Sequence, residues 1–262
     1  MTTEADAARD HTLRVVLAAL LVVGVLLGLV VFAVLRFGGG VAGAESFTTY
    51  QPAPAPAALP PVRTQEPSRS ANRQVLVDPA WVSTVAAKAG IPAPALRAYA
   101  DSEIRLSREK PGCHLGWNTL AGIGWIESQH GTLGGRTLRE DGYSLPTTIL
   151  GPALDGQRFA AIRSTPSSAR WHGDTVWEHA VGPLQFLSST WDRWGADGDG
   201  DGKADPRDLD DAALAAGRYL CADAHDLATD AGWSRAVHSY NHDDQYVVNV
   251  AGAASSYASR AR

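Results

Sequence analysis

A glutamate stands on the apolar face of a helix in the middle of this 262-residue chain. In Leu120-Ala121-Gly122-Ile123-Gly124-Trp125-Ile126-Glu127-Ser128, Glu127 follows Leu120 by seven residues and Ile123 by four. On a helix of about 3.6 residues per turn these positions share one stripe. An apolar setting disfavours the charged carboxylate and raises its pKa, which is what a general acid needs near neutral pH. Gly124, one turn earlier, is expected to leave bare backbone beside the carboxyl for a substrate to approach. The competing reading is a buried structural glutamate paired with an arginine, the glycines serving helix packing.

A second constellation is acidic. Asp197, Asp199, Asp201, Asp205 and Asp208 fall at positions 1, 3, 5, 9 and 12 of a loop with Gly202 at position 6. That is the EF-hand pattern over 197–208, with Lys203 contributing its backbone carbonyl at position 7. Asp208 replaces the usual glutamate, and its shorter arm predicts modest affinity. The loop is expected to bind structural Ca²⁺ rather than Mg²⁺, because it offers many oxygens in a flexible frame. The alternative is a solvated acidic turn.

Other chemistry finds little support. The chain has no GxSxG elbow, HExxH motif or phosphate loop. His238 and His242 have a spacing that permits zinc, but no third ligand lies near them in sequence. With 23 Lys and Arg against 28 Asp and Glu, and no basic run, nucleic acid is not expected as a partner. A hydrophobic content of 45 % with 19 % charged residues is that of a folded domain.

The elements that must position these groups follow an unusual N-terminal region. Residues 15–35 carry no charge and are bounded by Arg14 and Arg36. A helix of that length spans about 30 Å, so a single membrane anchor is expected, with 1–14 in the cytoplasm and the bulk of the chain outside. Ala42-Gly43-Ala44 leaves open a cleaved signal and a secreted form. Residues 36–73, rich in proline and alanine, read as a linker. The working domain is then 74–262. Helices are expected from Asp78-Pro79 to Gly90, from Pro94 to Glu109 and from Trp117 to Gly131. Loops and short strands fill 132–180, and helices return at 189–194, 208–222, 233–242 and 244–258. Outside the acidic loop no second acid is read on an apolar stripe, although Asp141, Asp155 or Asp174 of the middle segment remain available. In an extracytoplasmic domain, Cys113 and Cys221 are expected to form a disulfide.

Four motifs in order resemble one family. Gly124-Trp-Ile-Glu127-Ser128-Gln-His-Gly131, Ala180-Val-Gly182-Pro183-Leu184-Gln185-Phe186, Ser189-Thr190-Trp191 and Ser239-Tyr240-Asn241 are similar to those of membrane-bound lytic murein transglycosylases of the B type. The acidic loop sits between the last two. Gly-Pro-Leu-Gln stands where Gly-Leu-Met-Gln is common, and Ser-Tyr-Asn where Ala-Tyr-Asn is common.

The resemblance implies a mainly α, lysozyme-like α+β domain acting on peptidoglycan. Its implied reaction cuts the β-1,4 bond between N-acetylmuramic acid and N-acetylglucosamine and closes a 1,6-anhydro ring. Glu127 is implied as the acid and then the base. Ser128, Gln185, Tyr240, Asn241 and Tyr246 are candidates for substrate contact, and Trp125, Tyr143 or Trp177 for sugar stacking. A hydrolytic muramidase and a non-catalytic, calcium-stabilised wall-binding module are the alternatives.

Overall fold

The computed structural model describes residues 52–64 and 74–262. The expected anchor at 15–35, the segment before it and part of the expected linker lie outside the described residues. Among those described, no helix is long and apolar enough to cross a membrane.

The domain is mainly helical, as expected. Helix α1 (Pro79–Ala89) begins where the Asp78 carboxylate accepts from the Ala80 and Trp81 N–H groups, and it ends at Gly90. Helix α2 (Ala93–Glu109) and helix α3 (Trp117–Ser128) follow, then a short hairpin of β1 (Thr137–Leu138) and β2 (Ser144–Leu145). In that antiparallel pair Thr137 faces Leu145 and Leu138 faces Ser144. After it come α4 (Pro166–His172), α5 (Ser188–Trp194), α6 (Leu209–Leu220), α7 (Asp230–Tyr240) and α8 (Asp244–Arg260). Helix α4 lies where only loops and strands are expected. Its Thr165 cap, Pro166 and Ser168 form a capping box, a local signal that outweighs the polar composition around it.

The core joins Leu96, Tyr99, Ile104 and Leu106 of α2 to Leu120 and Ile123 of α3, Leu214 and Leu220 of α6, and Trp233 of α7. Helix α3 crosses α8 at close range. A Cβ on Gly122 would come 2.9 Å from the Val250 carbonyl, so glycine there sets the helix separation. The Cys113–Cys221 disulfide forms as expected, with 5.4 Å between Cα atoms, and ties the turn after α2 to the end of α6. Closing a loop of 108 residues stabilises the fold by about 4–5 kcal/mol in the chain-entropy model.

Part of the expected linker is not a free spacer. Residues 52–64 lie against the domain: Ala57 N–H donates to Asn118 Oδ1 at 3.1 Å, and Asn118 Nδ2 donates to the carbonyls of Ala55 and Ala254. Ala53 N–H donates to Asp230, and Val62 bridges to Val77. Prolines cost this strap little conformational entropy on ordering, and the fully buried Asn118 satisfies its backbone.

Two buried acids on α2 went unread in the sequence. Asp101 accepts from the Leu76 and Val77 N–H groups, and Glu103 accepts from Trp117 N–H at 2.7 Å. Glu103 thus caps α3, whose own N-cap is Gly116. Burial pushes the Glu103 carboxyl up to about 8. Its folded-state pKa lies above the unfolded value, so the folded state holds the extra proton and stability falls as pH rises from about 4.5 to 8. Glu103→Gln keeps an acceptor for Trp117 and removes this ionisation. The variant should gain stability relative to the native chain between pH 5 and 8, read from denaturant unfolding at both pH values; an unchanged difference contradicts the raised ionisation of Glu103.

Candidate active site

Glu127 occupies the last turn of α3, half-buried, with Tyr246 of α8 as its partner. The Tyr246 hydroxyl donates to Glu127 Oε1 at 2.6 Å. Asp243 caps α8 by accepting from Gln245 N–H, which places Tyr246 in the first turn. Burial pushes the Glu127 carboxyl up to about 7, against the smaller downward pull of the Tyr246 hydrogen bond. Burial and the Glu127 charge hold Tyr246 well above the ordinary tyrosine range, so it stays a donor. Among the described residues no arginine pairs with Glu127; its hydrogen-bond partner is Tyr246.

A tight turn braces the site from the other side. Val181 and Phe186 exchange both backbone hydrogen bonds, at 2.9 and 3.0 Å. Gly182 has φ +80° and packs against the Pro206 carbonyl, where a side chain has no room. This turn receives two side chains: Ser128 donates from Oγ to the Pro183 carbonyl, and Tyr240 from its hydroxyl to Leu184 at 2.8 Å. Ser128 and Tyr240 are therefore holding groups in this structure. Gln185, at φ +51°, donates from Nε2 to Gly182 and keeps its Oε1 beside Gly151. Asn241 ends α7 with an exposed side chain.

Gly124 does not open a path to substrate, because the hydroxyl of Tyr99 fills the space its Cβ would take. Tyr99 in turn hydrogen-bonds His130 Nδ1 at 3.2 Å, while His130 Nε2 meets the Tyr257 hydroxyl at 2.8 Å. Burial lowers His130 to about 4, so this chain of polar groups is uncharged at neutral pH. Trp125, about 200° from Glu127 around the helix, packs toward His130 instead of the carboxyl. Tyr143 is bonded to Asp205. Trp177 carries the Arg163 guanidinium over its ring at 4.0 Å. Trp191 and Trp233 are core residues. The three available acids are engaged elsewhere: Asp141 pairs with Arg139, Asp155 closes a turn through Gln157 N–H, and Asp174 pairs with His179.

The acidic loop comes together with a carboxylate from α6. Among the described residues, Asp197, Asp199 and Asp211 bring carboxylate oxygens within 4.8 Å of one another. Asp201 is exposed and bonds Lys203 N–H, whereas Lys203 keeps its side chain in solvent. Asp205 is held bidentate by Arg207, which keeps its carboxyl below the usual range despite burial. Asp208 caps α6 through Asp210 N–H. Asp211, on the first turn of α6, accepts from Gly198 and Asp205 N–H groups. Burial, with the charges of Asp199 and Asp197, pushes the Asp211 carboxyl up to about 7. Helical spacing returns it to the loop three residues beyond the twelve-residue pattern. His238 and His242 meet edge to face at 5.3 Å between ring centroids, with Asp244 at 3.9 Å from His238.

Residues 167–258 match the family model of the transglycosylase SLT domain. No curated protein and no solved structure matches the chain. The matched stretch holds Gln185, the acidic loop, Tyr240, Asn241 and Tyr246, and it begins after Glu127. It spans the bracing turn, the acidic loop and the tyrosine helix.

Proposed function

We propose that this chain is a peptidoglycan lytic transglycosylase in which Glu127 alone serves as acid and base. The observation that carries the reading is the isolation of that carboxyl: the influences that set its pKa are burial and Tyr246, with no second carboxylate among them. Glycoside hydrolysis ordinarily uses two carboxylates, one of them to activate water or attack the sugar. An intramolecular attack needs only one. Protonated Glu127 donates to the leaving glycosidic oxygen as the bond to C1 breaks. The resulting carboxylate takes the proton of the muramoyl 6-hydroxyl while that oxygen bonds to C1. The ring closes, Glu127 is again protonated, and no water is consumed. Gln185 and Asn241 flank this site with amide groups suited to acetamido and hydroxyl contacts.

The acidic loop supports a structural calcium proposal with a revised ligand set. Asp197, Asp199 and Asp211 would hold the ion, with the Lys203 carbonyl and Asp201 in reach of the same loop sequence. A divalent cation would offset both the burial of the Asp211 carboxyl and its repulsion by Asp199 and Asp197. It would fix the start of α6 and, through the Asp205–Tyr143 bond, the hairpin region. A membrane-tethered enzyme working on the wall outside is consistent with the expected 15–35 anchor.

The direct test is digestion of purified peptidoglycan. Glu127→Gln should lower turnover by about 10²–10⁴-fold with the fold intact by circular dichroism; retention of a tenth of the native rate contradicts the assignment. The pH profile supplies a second check. Activity should fall as pH rises through about 7, where Glu127 loses its proton. Tyr246→Phe removes a bond that favours the carboxylate, so the alkaline limb should move to higher pH; a shift downward contradicts the arrangement. For calcium, saturating Ca²⁺ should raise the melting temperature of the native chain. Asp211→Asn should abolish that rise and Asp208→Asn should keep it; the reverse pattern restores the twelve-residue ligand set.

A further inference from the structure

The segment between the hairpin and α5 is held by isolated antiparallel bridges, Leu150 to Val181, Asp155 to Ala161 and Arg163 to Trp177. Leu154, Ile162 and Glu178 exchange backbone hydrogen bonds of 2.9 to 3.0 Å, and Arg163 bridges to Trp177. Contact is continuous from the site outward. The turn that receives Ser128 and Tyr240 carries Gln185, whose Oε1 abuts Gly151. The Gly151 carbonyl meets His179 Nδ1 at 2.8 Å. His179 lies two residues after Trp177, over whose indole the Arg163 guanidinium sits at 4.0 Å.

The charges of this segment are unequally satisfied. Asp174 accepts from Val176 and Trp177 N–H groups and faces His179 Nε2 at 3.1 Å. Those contacts hold its carboxyl near 2, an anion fully spent on its own loop. Asp155 is committed to its turn. Arg163 is exposed and has no acidic partner among the described residues, in a chain whose formal charge is −5. A guanidinium lying flat on an indole keeps its N–H edge free, and the ring restricts its rotamers in advance. That edge matches a carboxylate in bidentate geometry.

On the reading of the chain as a peptidoglycan-cleaving enzyme, we propose that Arg163, held on Trp177, recognises a carboxylate borne by the substituents of the bound glycan. The sugar backbone of such a strand is neutral. Carboxylates enter through the peptide stem, or through the lactyl group once the stem has been removed. Arg163 would then be a specificity residue remote from bond cleavage, selecting strands by what hangs from them.

Equilibrium binding to solubilised strands tests this with the full-length chain in a Glu127→Gln background, so that no strand is cut. Three probes are compared: strands with intact stems, strands stripped to lactyl carboxylates, and stripped strands whose carboxyls are converted to neutral methylamides. The chain should bind one or both charged probes about tenfold more tightly than the neutral one, as a charge-assisted hydrogen bond allows. Preference for the first probe assigns the stem, and preference for the second the lactyl group. Arg163→Gln should bring the charged-to-neutral ratio to about one, and Arg163→Lys should restore part of it. Equal binding of all three probes, or a ratio unaltered by Arg163→Gln, overturns the proposal. A chain that shows the ratio but, with Glu127 restored, cuts nothing contradicts the transglycosylase reading alone.

Discussion

The site depends on one hydrogen bond between two helices, from the Tyr246 hydroxyl on α8 to the Glu127 carboxyl on α3. It links residues 119 apart in sequence and joins the end of one helix to the beginning of the other. A lone neutral donor stabilises the carboxylate less than a cation would, so burial prevails and the group stays protonatable near neutral pH. Much of the fold serves that contact. Glycine at 122 lets α3 and α8 approach, Glu103 caps the far end of α3, and the 181–186 turn receives Ser128 and Tyr240 beside it.

The remaining parts restrain this pair from outside. The disulfide ties α2 to α6, and Asp211 ties α6 to the acidic loop. The strap 52–64 binds Asn118, which lies on the same helix as Glu127 and also reaches Ala254 on α8. Whatever lies ahead of the strap is thus connected through hydrogen bonds to both helices of the site.

Much of this was legible in local sequence because it is local physics. Helix α1 follows from its Asp-Pro start and Gly stop, and the apolar stripe of α3 places Glu127. What was misread depends on distant partners. Gly124 looks like open backbone until Tyr99, on another helix, fills the space. Asp208 falls in the twelve-residue pattern and also caps α6, and helical geometry brings Asp211 beside Asp197 and Asp199 from outside that pattern. Asp101 and Glu103 read as ordinary helix acids until the backbone groups they satisfy, 24 and 14 residues away, are seen. The capping box of α4 is a local signal, Thr165 to Ser168, set amid glycine and aspartate that favour turns.

The central claim is that a single carboxyl closes an internal ring without water. Digestion of purified peptidoglycan in water enriched in heavy oxygen, followed by mass spectrometry of the released fragments, tests it most directly. The account predicts muramoyl ends one water lighter than reducing ends, with no heavy oxygen at C1. Reducing ends carrying heavy oxygen at C1 would contradict it and establish a hydrolase on the same site.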